Sequence, residues 1–230
     1  MHLKTKFSTE LEGILNEISY KRKVEKGTFL FQEGSKAKEL FLILKGKVQV
    51  SKIIPDGKEL TLRMCKEGDI IGETGLFCSN QGQMLNAKVV EDGEVAVIHH
   101  HDLENALSKD QTLALEYMKW MNREHRKGQT KLRDLVLLGK KGALYSTLIR
   151  LSNSYGVRTK NGIVINTPLT NQALANFCGT SREVVNRMLS ELRKKGILSV
   201  EKGIITICDI NYLRKEIDCE NCPIDICTIN

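Results

Sequence analysis

No stretch of this 230-residue chain approaches the roughly 18 apolar residues that a membrane-spanning helix needs. Met1–Tyr20 lacks the apolar run of a secretory signal, so a soluble, cytoplasmic protein without a membrane partner is expected. In that compartment thiols stay reduced, and the seven cysteines, an odd number, are free for metal or redox chemistry rather than structural disulfides. There is no glycine-rich phosphate loop ahead of a long helix and no HExxH. Nor is there a Ser/His/Asp set in an informative context. No residue stands out for catalysis, and an enzyme is not expected.

What is present is a basic chain in two textures. The net charge of +7 favours a polyanionic partner. Phe7–Tyr20 reads as a short amphipathic helix with Leu11, Ile14, Leu15 and Ile18 on one side. From Lys21 to about His99 short β-type runs alternate with glycines: Thr28–Phe31, Leu40–Leu44, Val48–Ile54, Leu60–Met64 and Val95–Ile98. Such spacing predicts a β-barrel or jelly roll. From about Leu103 the period turns helical and stays so for about 30 residues, with apolar positions at Leu113, Tyr117, Trp120, Met121, Leu132, Leu135 and Val136. A helix this long suggests a two-stranded seam and a homodimer.

Leu169–Gly196 reads as two helices joined by a tight turn. Thr170 caps the first, whose apolar face is Ala173, Leu174 and Phe177, and Cys178-Gly179-Thr180 breaks it. Thr180 with Glu183 has the capping-box pattern for a second helix. There Val185, Met188, Leu189 and Leu192 face inward, and Arg182, Glu183, Asn186, Arg187 and Ser190 outward. Ile197–Val200 and Ile204–Cys208 then predict a hairpin across Glu201-Lys202-Gly203. Helix, turn, helix, hairpin is a winged helix, with its exposed polar face placed as a recognition helix places it in DNA. Arginine forks suit guanine, and a glutamate accepts from cytosine. Lys119, Arg123, Arg126, Lys127, Lys131, Arg133, Lys140 and Lys141 make the preceding helix basic enough for phosphate contacts.

The chain ends in DCENCPIDICTIN, with Cys219, Cys222 and Cys227 spaced C-x2-C-x4-C. Three thiols so close are a metal signal, one ligand short of the four usual for zinc or a [4Fe-4S] cluster. Cys65, Cys78, Cys178 and Cys208 lie singly and read as small buried hydrophobes.

The glycine-rich roll, long helix and winged helix, with EGDIIGETGLF (Glu67–Phe77) and SREVVNR (Ser181–Arg187), resemble the CRP/FNR family of bacterial transcription regulators. The resemblance covers the whole chain. It implies an α+β fold: a cyclic-nucleotide-binding-like β-roll sensor domain with an N-terminal helix over 1–102 and a dimerisation helix over 103–138. A winged helix DNA-binding domain over 139–214 and a cysteine-containing tail over 215–230 complete it. By the same resemblance the protein binds double-stranded DNA at palindromic sites as a homodimer and works with RNA polymerase. Arg182, Glu183 and Arg187 become base readers of a TGTGA-like half-site, flanked by Asn186, Ser181, Thr180, Thr170 and Gln172. A Glu183 engaged in a capping box would compete with its base contact.

In the cyclic-nucleotide-binding members an Arg-Ser pair holds the phosphate. Gly72 and Glu73 are present here, but the pair aligns with Leu85-Asn86, and only Lys88 in Asn80–Val90 is cationic. Losing the guanidinium argues against cyclic AMP. The tail instead resembles a Bacillus-type Fnr branch, whose [4Fe-4S] cluster takes three C-terminal cysteines and an aspartate. That assigns Cys219, Cys222, Cys227 and, as fourth ligand ahead of Cys208, Asp218 and Asp225, Asp134. The alternatives are a structural zinc tail with a different effector in the roll, a small electron-transfer iron-sulfur protein, or a cyclic-nucleotide-binding module. Read without the family, Asp134 would be an exposed acid balancing Arg133 and Lys131.

Overall fold

The structure, a computed structural model, describes residues 13–15, 17–73, 75–77 and 82–230. Leu11, Cys78 and the first residues of the expected N-terminal helix lie outside them; Ile14, Leu15 and Ile18 pack on the apolar core. The chain divides into two compact units. One comprises Met1–Ile53, Leu62–Glu124 and Asn230, the other Ile54–Thr61 and His125–Ile229.

The first unit is built on β1 (Ser19–Val24), β2 (Phe29–Phe31), β3 (Glu39–Ile53), β4 (Glu59–Lys66), β5 (Ile70–Ile71) and β6 (Asn86–His99). The strand order is β1-β6-β3-β4, with β2 on β6 and β5 on β3. The runs expected as Leu40–Leu44 and Val48–Ile54 are one strand. Gly46, with φ +94°, does not end it but lets it bulge against β6. A Cβ on the facing Gly93 would stand 1.9 Å from the Lys45 carbonyl, so the crossing requires glycine there.

Alternate residues serve two cores. Phe41, Ile43, Val95 and Val97 point into the roll with Val48, Val50 and Val89. Leu40, Leu42, Ala96 and Ile98 face Leu103, Leu107, Leu113, Tyr117 and Trp120 from the helices that follow. Burial on both faces explains why these strands read as continuous apolar runs.

The helical stretch expected to run unbroken from Leu103 is two helices, α1 (His100–Lys109) and α2 (Gln111–Leu137). Asp110 between them is extended. Its carboxylate accepts from Thr112 N at 2.8 Å and Leu113 N at 3.1 Å, so the aspartate caps a new helix instead of continuing the old one.

In the second unit, α3 (Gly139–Tyr155) is buried along most of its length. The helix pair follows as α4 (Asn171–Cys178) and α5 (Arg182–Lys194). Gly179 between them sits at φ +58°, a left-handed turn that suits glycine. The expected hairpin is present as β9 (Leu198–Glu201) and β10 (Ile204–Ile207). A second hairpin, β7 (Gly156–Thr159) and β8 (Gly162–Ile165), joins it in the order β7-β8-β10-β9. A last helix, α6 (Ile210–Glu216), is capped by Asp209 and delivers the chain to the cysteines. The second hairpin and α6 are additions to what the sequence pattern indicated. Among the described residues no helix is long and apolar enough to cross a membrane.

Candidate functional site

α5 is anchored by Val185, Met188, Leu189 and Leu192, all buried. This leaves Arg182, Glu183, Asn186 and Arg187 exposed and Ser190 half-buried. The expected capping box from Thr180 is absent. Ser181 is the cap, its hydroxyl accepting from Val184 N at 3.4 Å. That leaves Val184, not Glu183, at the position a capping box needs, and the buried Thr180 hydroxyl lacks a partner. Thr180 N bonds to the Ala175 carbonyl instead, so the Glu183 carboxylate is not tied to Thr180. Glu183 is exposed, and its own backbone N–H and the Ser181 hydroxyl hold its carboxyl below the usual range.

Thr170 caps α4 through Ala173 N at 3.0 Å. The Gln172 amide donates to Asn176 Oδ1 at 2.7 Å, and Asn186 Oδ1 accepts from Asn171 Nδ2 at 3.1 Å, tying the two helices together. Arg182, Glu183 and Arg187 stand exposed on the outward side of α5.

The tail is shaped by backbone geometry. Asp218 and Asn221 adopt φ of +44° and +51°, turning the chain before and within the Cys219–Cys222 loop. Cys227 N bonds back to the Pro223 carbonyl at 2.9 Å, which folds the third cysteine toward the first two. Ile226 and Ile229 are buried. Asn153 on α3 donates to the Cys227 carbonyl at 2.7 Å, and Ile229 N donates to Ser154 Oγ at 2.9 Å.

The result is a cavity of about 330 Å³ lined by all three cysteines and by Asp134. Asp218 also lines it, whereas Asp225 is exposed and Cys208 is not in its wall. Cys208 is exposed, against expectation, because β10 ends just before it and Asp209 starts α6. Cys65 and Cys178 are buried as expected, and burial pushes the Cys178 thiol up to about 11.

Asp134 is not an exposed acid: it retains 4% of its accessible surface. One oxygen accepts from Arg133 Nε at 3.0 Å and Nη2 at 2.8 Å. The other accepts from Arg150 Nη2 at 2.6 Å, Arg150 Nε at 3.2 Å, and the Ser146 hydroxyl. Burial would raise its pKa, but Ser146, Arg150 and Arg133 together hold it below the ordinary value. Burial raises the Cys227 thiol despite the opposing pull of Arg150. Arg133, Ser146 and Arg150 were missed as site residues. The available signal was Arg150 itself, an arginine in the middle of the otherwise neutral run ALYSTLIRLS.

Residues 21–110 match the cyclic nucleotide-binding domain, and residues 142–216 match the Crp-like helix-turn-helix domain. The chain is 56% identical, over 97% of its own length and 94% of the relative's, to the anaerobic regulatory protein of Bacillus subtilis. The chain belongs to the CRP/FNR family of transcription regulators. The global nitrogen regulator of a Nostoc species is 26% identical, over 80% of this chain and 82% of that one.

Solved structures agree on the fold. The c-di-GMP-responsive regulator CLP of Xanthomonas campestris superposes with a TM-score of 0.76 at 22% identity, over 88% of this chain and all of that one. CooA of Carboxydothermus hydrogenoformans, as a mutant, gives 0.76 at 20% identity, over 92% and 95%. The matched helix-turn-helix domain includes α4 and α5. In the roll, Leu85 and Asn86 are the pair that the sequence resemblance sets against the Arg-Ser pair of cyclic-nucleotide-binding members. Leu85 packs on the roll core, and Asn86 is buried, its side chain accepting from Glu33 N at 3.0 Å.

Proposed function

We propose that this regulator is redox-responsive and anaerobic: a [4Fe-4S] cluster held by Cys219, Cys222, Cys227 and Asp134 licenses dimeric binding to palindromic, TGTGA-like promoter sites. The observation that carries this is the single cavity on which all four side chains open. Three thiols and a carboxylate on one cavity wall are a donor set that a cluster could take. Among the described residues no three His, Cys, Asp or Glu side chains converge closely enough for a single metal ion. Zinc would need tetrahedral thiolates at about 2.3 Å from one centre. A cluster core with four anionic donors is net negative, which suits walls carrying Arg133, Lys141 and Arg150.

When bound, the cluster supplies an oxygen-labile centre, and a carboxylate, harder than thiolate, adds to that lability. The protein residues do the rest. Cys219 and Cys222 lie directly after α6, Cys227 is pinned to α3, and Asp134 stands near the end of α2. Held by these four residues, a cluster would tie the end of α2 to α3 and the tail, and so would bias the paired α5 helices toward productive spacing. In this reading 1–102, 103–138, 139–214 and 215–230 act as sensor-like roll, dimer helix, DNA-binding domain and cluster tail. RNA polymerase is the partner at the promoter, and cyclic AMP is not an effector.

The test is iron and acid-labile sulfide on protein isolated without oxygen, expected at about four each per chain with a brown absorption band that air bleaches. Cys219→Ser, Cys222→Ser and Cys227→Ser are each expected to abolish cluster-dependent binding. Zinc near one per chain without sulfide, or three serine variants that bind promoter DNA like wild type, would refute the reading.

A further inference from the structure

Asp134 has every acceptor position filled, and its two guanidinium partners both reach beyond it to the cysteine tail. Arg150, almost fully buried, sends Nη1 to the Ile226 carbonyl at 3.4 Å, next to Cys227. Arg133 sends Nη1 to the carboxylate of Glu220, between Cys219 and Cys222. The same carboxylate that the proposed function needs for iron is thus the centre of an ion-pair network that grips both cysteine segments. An oxygen that accepts two or three hydrogen bonds from cations has no lone pair left for a metal, so the two uses exclude each other.

We propose that Arg133 and Arg150 are positioning residues of a clamp that docks the tail while no cluster is present, and that Asp134 exchanges its guanidinium partners for iron when the cluster assembles. This rests on the cluster reading for its second half only. The clamp keeps the thiols facing one cavity before assembly, lowering the ordering cost that a free tail would carry. After exchange the freed guanidiniums stay in the cavity wall as counter-charges for the anionic group. Glu220 is the exposed end of the network, and Arg150 its buried end, where an unpaired charge would be most costly.

The experiment is amide hydrogen exchange on residues 217–222, on iron-free and cluster-loaded protein, without oxygen. Arg133→Gln and Glu220→Gln serve as variants, because both alter the exposed end of the network. In the iron-free wild type these amides are expected to exchange at least tenfold slower than in either variant. In the loaded protein, wild type and variants are expected to agree within about twofold, because iron has replaced the arginine contact. Unprotected amides in the iron-free wild type overturn the clamp. An Arg133 effect of equal size in both forms overturns the exchange and leaves only a structural ion pair. If the tail is protected in iron-free protein that then takes up no iron or sulfide, the cluster reading and the exchange both fall, and the clamp alone stands.

Discussion

At the residue scale, small groups decide where α5 starts. Ser181 and Thr180 are neighbours with interchangeable hydroxyls, yet only Ser181 has its oxygen over Val184 N. Ser181→Ala should therefore cost about 1 kcal/mol, the ordinary worth of a helix cap. Thr180→Val removes an unpartnered buried hydroxyl and should be neutral or stabilising. Urea denaturation of the two variants checks this, and the reverse ranking would restore Thr180 as the cap.

His100 gives a second residue-scale expectation. Its Nε2 is buried without a partner. Burial lowers its pKa below 6.5 despite the opposing charges of Glu104, Glu73 and Glu39. Between the folded and unfolded pKa values the unfolded chain binds more protons, so stability rises with pH through that window. Wild type should lose stability as pH falls from about 6.5, and His100→Gln should lack that part of the slope. A pH series of urea midpoints measures the difference.

At the element scale, α2 carries two stripes of different character. Leu113, Tyr117, Trp120, Lys127 and Asp134 are buried along one side. The stripe is apolar at its start and charged toward its end, where Lys131 donates to the Thr61 carbonyl at 2.9 Å and lies over the Phe177 ring. Leu115, Met118, Asn122, His125, Gln129, Leu132 and Val136 are all exposed. They are spaced alternately by three and four residues, the a/d period of a two-stranded coiled coil. Leu115, Met118, Leu132 and Val136 keep more than half of their surface, which a second copy would cover. Leu132→Asp should weaken self-association at least tenfold in sedimentation equilibrium while leaving helix content unchanged. An undiminished dimer would place the interface elsewhere.

At the scale of the whole molecule, much was legible in one dimension because the signals are local. Helical period, the glycine turn at Gly179 and the hairpin at Lys202-Gly203 all act within a few residues, and so does the C-x2-C-x4-C spacing. The errors came where a local rule met a distant partner. Gly46 looked like a strand end but is a bulge, since Gly93 lies opposite it. Asp110 looked like one more polar helix residue but caps a new helix. Without the family resemblance, Asp134 reads as a surface acid balancing Arg133 and Lys131, yet it is buried. Its deciding partners, Ser146 and Arg150, stand on the next helix.

The amino-acid sequence by itself determined the β-roll, the long helix, the winged helix and the family, together with the exposed polar face of α5 and the spacing of the three thiols. These depend on periodicity, turn chemistry and short spacings that survive without coordinates. Only the tertiary structure decided that the thiols and Asp134 open on one cavity, and that Arg133 and Arg150 occupy that aspartate and grip the tail. Burial and charge pairing belong to groups brought together from distant parts of the chain. Their energies depend on what surrounds them in space, and adjacency in sequence carries almost no record of it.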